Sequence, residues 1–163
     1  LRGDDFTEHY HKSVSMDHNL CIVLASSLSR SVLKSLNYAN LLTSNVVALH
    51  ISTDEKKSED FRAKWQSLGI DVPLEVIQTA YRDIVEPLEE YIAGREKDLP
   101  PGDTISVVMV RFVEEHWYDN ILHNQTTYFI ERRLRNHKNV ATIIVPYIYS
   151  AKYGAPLKRP KKG

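Results

Sequence analysis

The chain has 163 residues, which is enough for one domain of typical size with its own hydrophobic core. Its 21 basic and 21 acidic side chains balance, which argues against a general nucleic-acid binder, because such a protein needs a basic surface. The longest apolar run falls far short of the roughly 20 residues of a membrane span, and no signal-peptide pattern is present.

The first structural pattern follows a polar lead-in, residues 1–18, which lacks a clear period and which we predict to be a linker. Residues 20–25 form a short continuous apolar run, typical of a strand buried on both faces in a parallel sheet. Cys21 lies within this run, so we predict a small core residue with no disulfide partner. A small polar loop, residues 26–31, separates the strand from a helix with apolar residues at three-to-four spacing.

The same strand–loop–helix unit repeats along the chain. Further strands are predicted over residues 45–51, 72–77, 104–110 and 140–145. We expect Pro146 to end the last of them. The segment Ser52–Glu55 fits a capping box at the start of the second helix, and Gly69 is expected to end that helix. Gly94 is expected to weaken the end of the third helix.

Five strands of the buried type alternate with four helical segments, which predicts an α/β fold. Such a fold has a parallel sheet with helices on both faces. Right-handed crossovers leave few topologies, and we favour the strand order 3-2-1-4-5. In this order, the direction in which successive strands are added to the sheet reverses between strands one and four. We predict that residues 19–149 form this domain and that residues 150–163 form a flexible basic tail.

A ligand site is predicted at the carboxyl ends of the strands, at the switch point of the sheet. Two loops meet there, residues 26–31 and Arg111 to Thr127. Serine hydroxyls beside a helix N-terminus and arginines able to pair with phosphate favour an anionic ligand, and Tyr81 and Phe112 offer rings for stacking. The predicted ligand-binding residues are Ser26, Ser27, Ser29, Arg30, His50, Thr53, Tyr81, Arg82, Arg111, Phe112, His123, Asn124, Gln125 and Thr126.

Each of these residues also has a purely structural interpretation. Ser29 and Asn124 are alternatively helix caps, and Arg30 is alternatively a solvated surface charge. Tyr81 and Phe112 are alternatively core residues. The sequence has no Walker loop, no G-x-G-x-x-G, no G-x-S-x-G and no H-E-x-x-H, so we expect neither an enzyme nor a metal site.

Three segments resemble signature patterns of one protein family. Val46–Thr53 resembles V-x-A-[VL]-H-[VI]-S-T, Tyr81–Leu88 resembles Y-R-x-[LI]-V-x-P-[LI], and Leu122–Thr126 matches L-H-N-Q-[TS]. With the strand–loop–helix unit Cys21–Leu42, the resemblance covers most of residues 18–149. The chain resembles the C-terminal cytosolic domain of bacterial transporters of the amino acid–polyamine–organocation superfamily, nearest to potassium importers of the KimA type.

The resemblance implies a fold similar to universal stress proteins, placed after the membrane helices on the cytoplasmic face of the cell membrane. It implies that residues 1–18 link this domain to a membrane part. It also implies a regulatory role for a potassium or amino acid transporter, with cyclic di-AMP as the ligand. The implied partners are a second copy of the domain and its own membrane domain, with no nucleic acid and no bound cofactor.

The chain departs from ATP-binding universal stress proteins at two places. Those proteins carry an Asp after strand one and a glycine-rich phosphate loop after strand four. Here Ser26 and Ser27 follow strand one, and residues 111–114 contain no glycine. We therefore favour a sensory domain that binds cyclic di-AMP. The alternatives are a dimerisation scaffold with a lost nucleotide site, and an ATP-binding or ATP-hydrolysing domain of the universal-stress-protein type.

Overall fold

The structure, a computed structural model, describes residues 18–80, 83–114 and 125–149. Its elements are β1 (Asn19–Leu24), α1 (Arg30–Leu42), β2 (Val46–Ser52), α2 (Glu55–Ser67), β3 (Leu74–Gln78), α3 (Val85–Asp98), β4 (Thr104–Glu114), α4 (Gln125–Leu134) and β5 (Val140–Tyr149). The strands form one parallel sheet in the order β3-β2-β1-β4-β5, which confirms the predicted α/β fold and strand order. The predicted tail and nearly all of the predicted linker lie outside the described residues.

Helices cover both faces of the sheet, because the central strands are apolar on both sides. One face packs against α1 and α2, and the other packs against α3 and α4. In β1 the side chains alternate, so that Cys21 and Val23 join the first core and Leu20 and Ile22 join the second. Cys21 is fully buried, as predicted for a small core residue, and this burial raises the pKa of its thiol.

The helix ends follow from capping groups in the sequence. The Ser29 hydroxyl accepts a hydrogen bond from the Val32 N–H (3.4 Å) at the start of α1, so Ser29 is a helix cap. At the start of α2 the cap is Asp54, and not the first residue of the predicted capping box, because the helix begins only at Glu55. Gly69 follows α2 with a φ of +61°, a conformation that glycine adopts without steric cost. α3 continues past Gly94 to Asp98, and the expected cost of Gly94 to the stability of the helix end stays a prediction.

The prediction that Pro146 ends β5 is wrong, since the strand continues to Tyr149. β5 is an edge strand of the sheet. The N–H of Ile105 donates to the carbonyl of Asn139 (2.8 Å), and parallel pairing alternates along the strand. Even-numbered residues of β5 therefore direct their N–H groups away from β4. A proline at position 146 removes no hydrogen bond of the ladder, and edge strands tolerate it.

A histidine joins α3 to the turn after α4. The two ring nitrogens of His137 face two carboxylates of α3, Nδ1 toward Glu96 and Nε2 toward Glu89, the latter at 3.3 Å. Glu89 also forms an ion pair with Arg133. Burial opposes the charged ring, but the hydrogen bonds and charges of Glu89 and Glu96 together outweigh it and raise the pKa of His137.

This contact predicts a pH-dependent contribution to stability. A raised folded-state pKa means that the contribution is complete below the ordinary His value of about 6.5 and is lost as the pH rises through the folded-state pKa. We expect His137→Gln to lower the free energy of unfolding by about 1 kcal/mol near pH 6 and by less at alkaline pH. Urea unfolding at both pH values measures the difference. His18→Gln is the control, because His18 also faces a carboxylate, that of Asp103 at 2.7 Å, but is 63% exposed, so that its pair should contribute little. A loss of stability in His137→Gln that grows with pH would contradict the prediction.

Candidate functional site

Two cavities adjoin the loop between β1 and α1, at the carboxyl edge of the sheet. We call residues 25–29 the serine loop, and Ser26 and Ser27 line both cavities. The α4-side cavity measures about 140 Å³ and lies between the serine loop and the start of α4. The α2-side cavity measures about 410 Å³ and lies between the serine loop, the end of β2 and one face of α2. Both lie in the region where the sequence predicted a ligand site.

The α4-side cavity gathers hydroxyl groups. The structure brings four of the predicted residues to it, namely Ser26, Ser27, Ser29 and Thr126. It adds Ser31 and Thr127, which end the two predicted site loops but were not among the predicted ligand-binding residues. The Ser29 and Ser31 hydroxyls are 2.7 Å apart and form a hydrogen bond. Apolar side chains from β1, β4 and α4 make up much of the remaining wall.

The α2-side cavity combines hydroxyl and charged groups. Of the predicted residues it receives Ser26, Ser27 and His50. Its other lining residues include Ser52 at the end of β2 and Lys57, Asp60, Phe61 and Lys64 from α2. The sequence analysis missed the contribution of α2. Positions 60 and 61 each lie three or four residues from both 57 and 64, so the four residues share one side of the helix, and this spacing was readable in the sequence.

Two lysines and one carboxylate give the α2-side cavity an excess of positive charge. Lys57 and Lys64 lie on either side of Asp60 along α2. The Lys57 ammonium is 3.8 Å from the Asp54 carboxylate, a distance at which an exposed pair contributes little to stability. The Lys57 ammonium therefore remains available to an anion that enters the cavity, and within the described part of the chain the Lys64 ammonium forms no ion pair.

His50 is the most enclosed polar side chain of the α2-side cavity, at 5% exposure. Its Nδ1 lies 2.7 Å from the carbonyl oxygen of Ala25 in the serine loop. A carbonyl only accepts, so Nδ1 carries the hydrogen, and Nε2 of the neutral ring is an acceptor. The ring stacks on Phe61 at 4.2 Å between centroids and 10° between planes. Among the residues that the structure describes, the buried Nε2 has no hydrogen-bond partner.

Other predicted residues lie elsewhere. Arg30, Thr53 and Arg111 are exposed and line neither cavity. Arg111 lies within β4, and not in the following loop as predicted, because pairing with Pro146 of β5 extends the strand. The backbones of Phe112 and Gln125 lie in β4 and α4. Four predicted residues fall outside the described ranges, namely Tyr81, Arg82, His123 and Asn124.

Two features are absent from the described part of the chain. None of its helices is long and apolar enough to cross a membrane. No group of three or more His, Cys, Asp or Glu side chains in residues 18–80, 83–114 and 125–149 is arranged to hold a metal ion.

Comparison with known proteins gives two matches. The family model of the KimA potassium transporter C-terminal domain matches residues 16–147. The potassium transporter KimA of Bacillus subtilis (strain 168) is 28% identical over 127 residues. These residues make up 77% of this chain and 21% of that transporter, so the chain spans about a fifth of the length of this relative.

Proposed function

Because the chain belongs to the KimA potassium transporter C-terminal domain family, we propose that it is the cytosolic regulatory domain of a potassium transporter and that it binds cyclic di-AMP. The proposal places the domain at the cytoplasmic face of the cell membrane, next to the membrane part of the same transporter. The domain would act as a receptor and would catalyse no reaction.

The observation that supports a ligand is the pair of cavities sharing Ser26 and Ser27. They lie at the carboxyl edge where β1 is flanked by β2 and β4, which is where open α/β sheets bind ligands. Cyclic di-AMP has two phosphates and two adenines. Serine and threonine hydroxyls donate to phosphate oxygens, and the ammonium groups of Lys57 and Lys64 balance the negative charge.

A homodimer is part of this proposal, because cyclic di-AMP has a two-fold axis that a symmetric dimer would match. The outer edge of β5 supports it, since no strand of the described part of the chain pairs with this edge and edge strands offer backbone groups to another chain. One of its carbonyls, that of Pro146, accepts a hydrogen bond from the Lys34 ammonium at 3.2 Å. Beyond the end of β1, residues 109–114 of β4 pair only with β5 within the described part of the chain. A two-stranded ribbon has little stability alone, which also favours pairing with a second copy.

Calorimetric titration with cyclic di-AMP, with ATP and AMP as controls, tests the proposed function. We expect cyclic di-AMP to bind with a stoichiometry near one ligand per dimer, and we expect ATP not to bind. At about a hundredfold excess over Kd, the ligand should raise the free energy of unfolding by about 2.7 kcal/mol. Absence of binding by any nucleotide would leave a dimerisation scaffold. Binding of ATP alone would indicate a domain of the ordinary stress-protein type.

Substitutions test where the phosphates bind. The double variant Ser26→Ala with Ser27→Ala should weaken cyclic di-AMP binding about 10- to 100-fold, because it removes hydroxyl donors to charged oxygens. Thr53→Ala is the matched control, since this exposed hydroxyl lines neither cavity. If replacing Arg30 and Arg111 together left the affinity unchanged, the predicted role of these arginines would be wrong.

A further inference from the structure

The unpaired Nε2 of His50 requires an explanation. Buried polar atoms of folded proteins are almost always hydrogen-bonded, because an unpaired one has lost its water without replacement. The Ala25 carbonyl holds the hydrogen on Nδ1, which leaves Nε2 as an acceptor in the neutral ring. The atom therefore requires a partner that donates a hydrogen bond.

The volumes of the two cavities indicate where a base fits. The α2-side cavity, which His50 lines, measures about 410 Å³ and lies within the ~300–1,000 Å³ typical of small-molecule sites. The α4-side cavity, at about 140 Å³, is below that range. The α2-side cavity therefore has room for a purine together with its sugar and phosphate, on the side of the serine loop where His50, Lys57 and Lys64 line the same space.

We propose that His50 selects adenine, because its Nε2 accepts a hydrogen bond from the 6-amino group of an adenine bound in the α2-side cavity. This inference rests on the proposed function, since it takes cyclic di-AMP as the ligand. A guanine or hypoxanthine base carries a 6-oxo group at the same place. That oxygen is itself an acceptor, so it would face the lone pair of Nε2 without a hydrogen between them.

His50 lines the α2-side cavity, but the wall of the cavity encloses its Nε2. The lining residues come from β2, from α2 and from the serine loop. Ser26, Ser27 and Leu28 are the lining residues that belong to no helix or strand, and the first two are exposed. Nε2 is enclosed, so its contact with the amino group requires a movement of the wall. We assign this movement to the serine loop.

The first test varies the base. Cyclic di-IMP has the shape of cyclic di-AMP with a 6-oxo group in place of the amino group. Titration of the 163-residue chain should give an affinity for cyclic di-IMP that is about 10- to 100-fold weaker than for cyclic di-AMP. Equal affinities would overturn the role of His50 and leave the proposed function in place. Absence of cyclic di-AMP binding would overturn both.

The second test varies the residue. In His50→Asn the amide NH₂ retains a donor near the Ala25 carbonyl, while the acceptor at Nε2 is lost. We expect weaker binding of cyclic di-AMP and a ratio of the two affinities that falls close to one. The control is Ser52→Ala, which alters a neighbouring hydroxyl of the same cavity and should retain the discrimination. An unchanged ratio in His50→Asn would overturn the inference.

A third measurement needs no substitution and therefore does not depend on a variant that folds. The ¹⁵N chemical shift of His50 Nε2 reports whether this nitrogen accepts a hydrogen bond. Addition of cyclic di-AMP should move the shift toward the hydrogen-bonded value, and addition of ATP should not. A shift that cyclic di-AMP leaves unchanged, as expected if a structural water alone occupies Nε2, would overturn the inference.

Discussion

Phe61→Ala is expected to lower the free energy of unfolding by about 3–5 kcal/mol. The ring is 6% exposed and stacks on both His50 (4.2 Å between centroids) and Trp65 (5.8 Å between centroids). Its removal leaves a cavity between α2 and the sheet, and the surrounding residues fill this cavity only in part. Trp65 limits their movement, because its indole N–H donates to the Val72 carbonyl at 3.0 Å.

Urea unfolding of Phe61→Ala and of two companion variants measures this effect. Phe61→Leu keeps an apolar side chain in the core and should cost less than the alanine substitution. Leu68→Ala is the control from the end of the same helix, and with Leu68 58% exposed its change should stay within about 0.5 kcal/mol. If Phe61→Ala were as stable as Leu68→Ala, Phe61 would not be a packed core residue. Phe61 would then not hold the His50 ring in place beside the α2-side cavity.

Two neighbouring proline substitutions in β5 should have opposite effects. Ala141 directs its N–H toward β4 by the alternation that starts at Asn139, so Ala141→Pro should leave an acceptor of β4 unpaired. We expect it to lower the free energy of unfolding by about 2–3 kcal/mol. The N–H of Thr142 points away from β4, as the backbone nitrogen of Pro146 does, so Thr142→Pro leaves the ladder intact. It should instead remove a donor needed for pairing of β5 with a second copy.

Urea unfolding and analytical ultracentrifugation separate the two effects. Unfolding at low protein concentration should show a loss for Ala141→Pro and a much smaller one for Thr142→Pro. Ultracentrifugation with cyclic di-AMP should show a dimer for wild type and a monomer for Thr142→Pro. A Thr142→Pro variant that still dimerises would contradict pairing through the edge of β5.

Ligand binding and dimerisation are linked if one cyclic di-AMP contacts both copies. The ligand then strengthens the dimer by the same factor by which dimerisation strengthens ligand binding. Thr142→Pro should therefore weaken the affinity for cyclic di-AMP although position 142 lies outside both cavities. Equal affinity in wild type and Thr142→Pro would indicate that each copy binds its ligand independently.

Much of the fold could be predicted from local patterns in the sequence. A buried parallel strand reads as a continuous apolar run, such as residues 20–25, and an amphipathic helix reads as apolar residues at three-to-four spacing. Gly69 marked the end of α2 because few other residues adopt a positive φ. With right-handed crossovers, these elements leave few sheet orders, and the order predicted was the one found.

The strand ends and the composition of the site depend on contacts distant in sequence. Pro146 looks like the end of a strand until β5 is known to be an edge, because only then is its missing N–H directed away from a partner. Arg111 looks like a loop residue until β5 pairs with it. The sequence placed the serine loop at a ligand site, but only the packing of α2 brings Lys57 and Lys64 beside it.

His50 combines both kinds of information. Its place at the end of β2 and its membership of the site were predicted from the sequence alone. The hydrogen bond to Ala25 and the unpaired Nε2 were not, because they depend on how β1 and its loop pack against β2, 25 residues away. Hydrophobic periodicity specifies which residues are buried. The partner that each buried polar atom finds is decided only when distant segments pack together, since hydrogen bonds are short and directional.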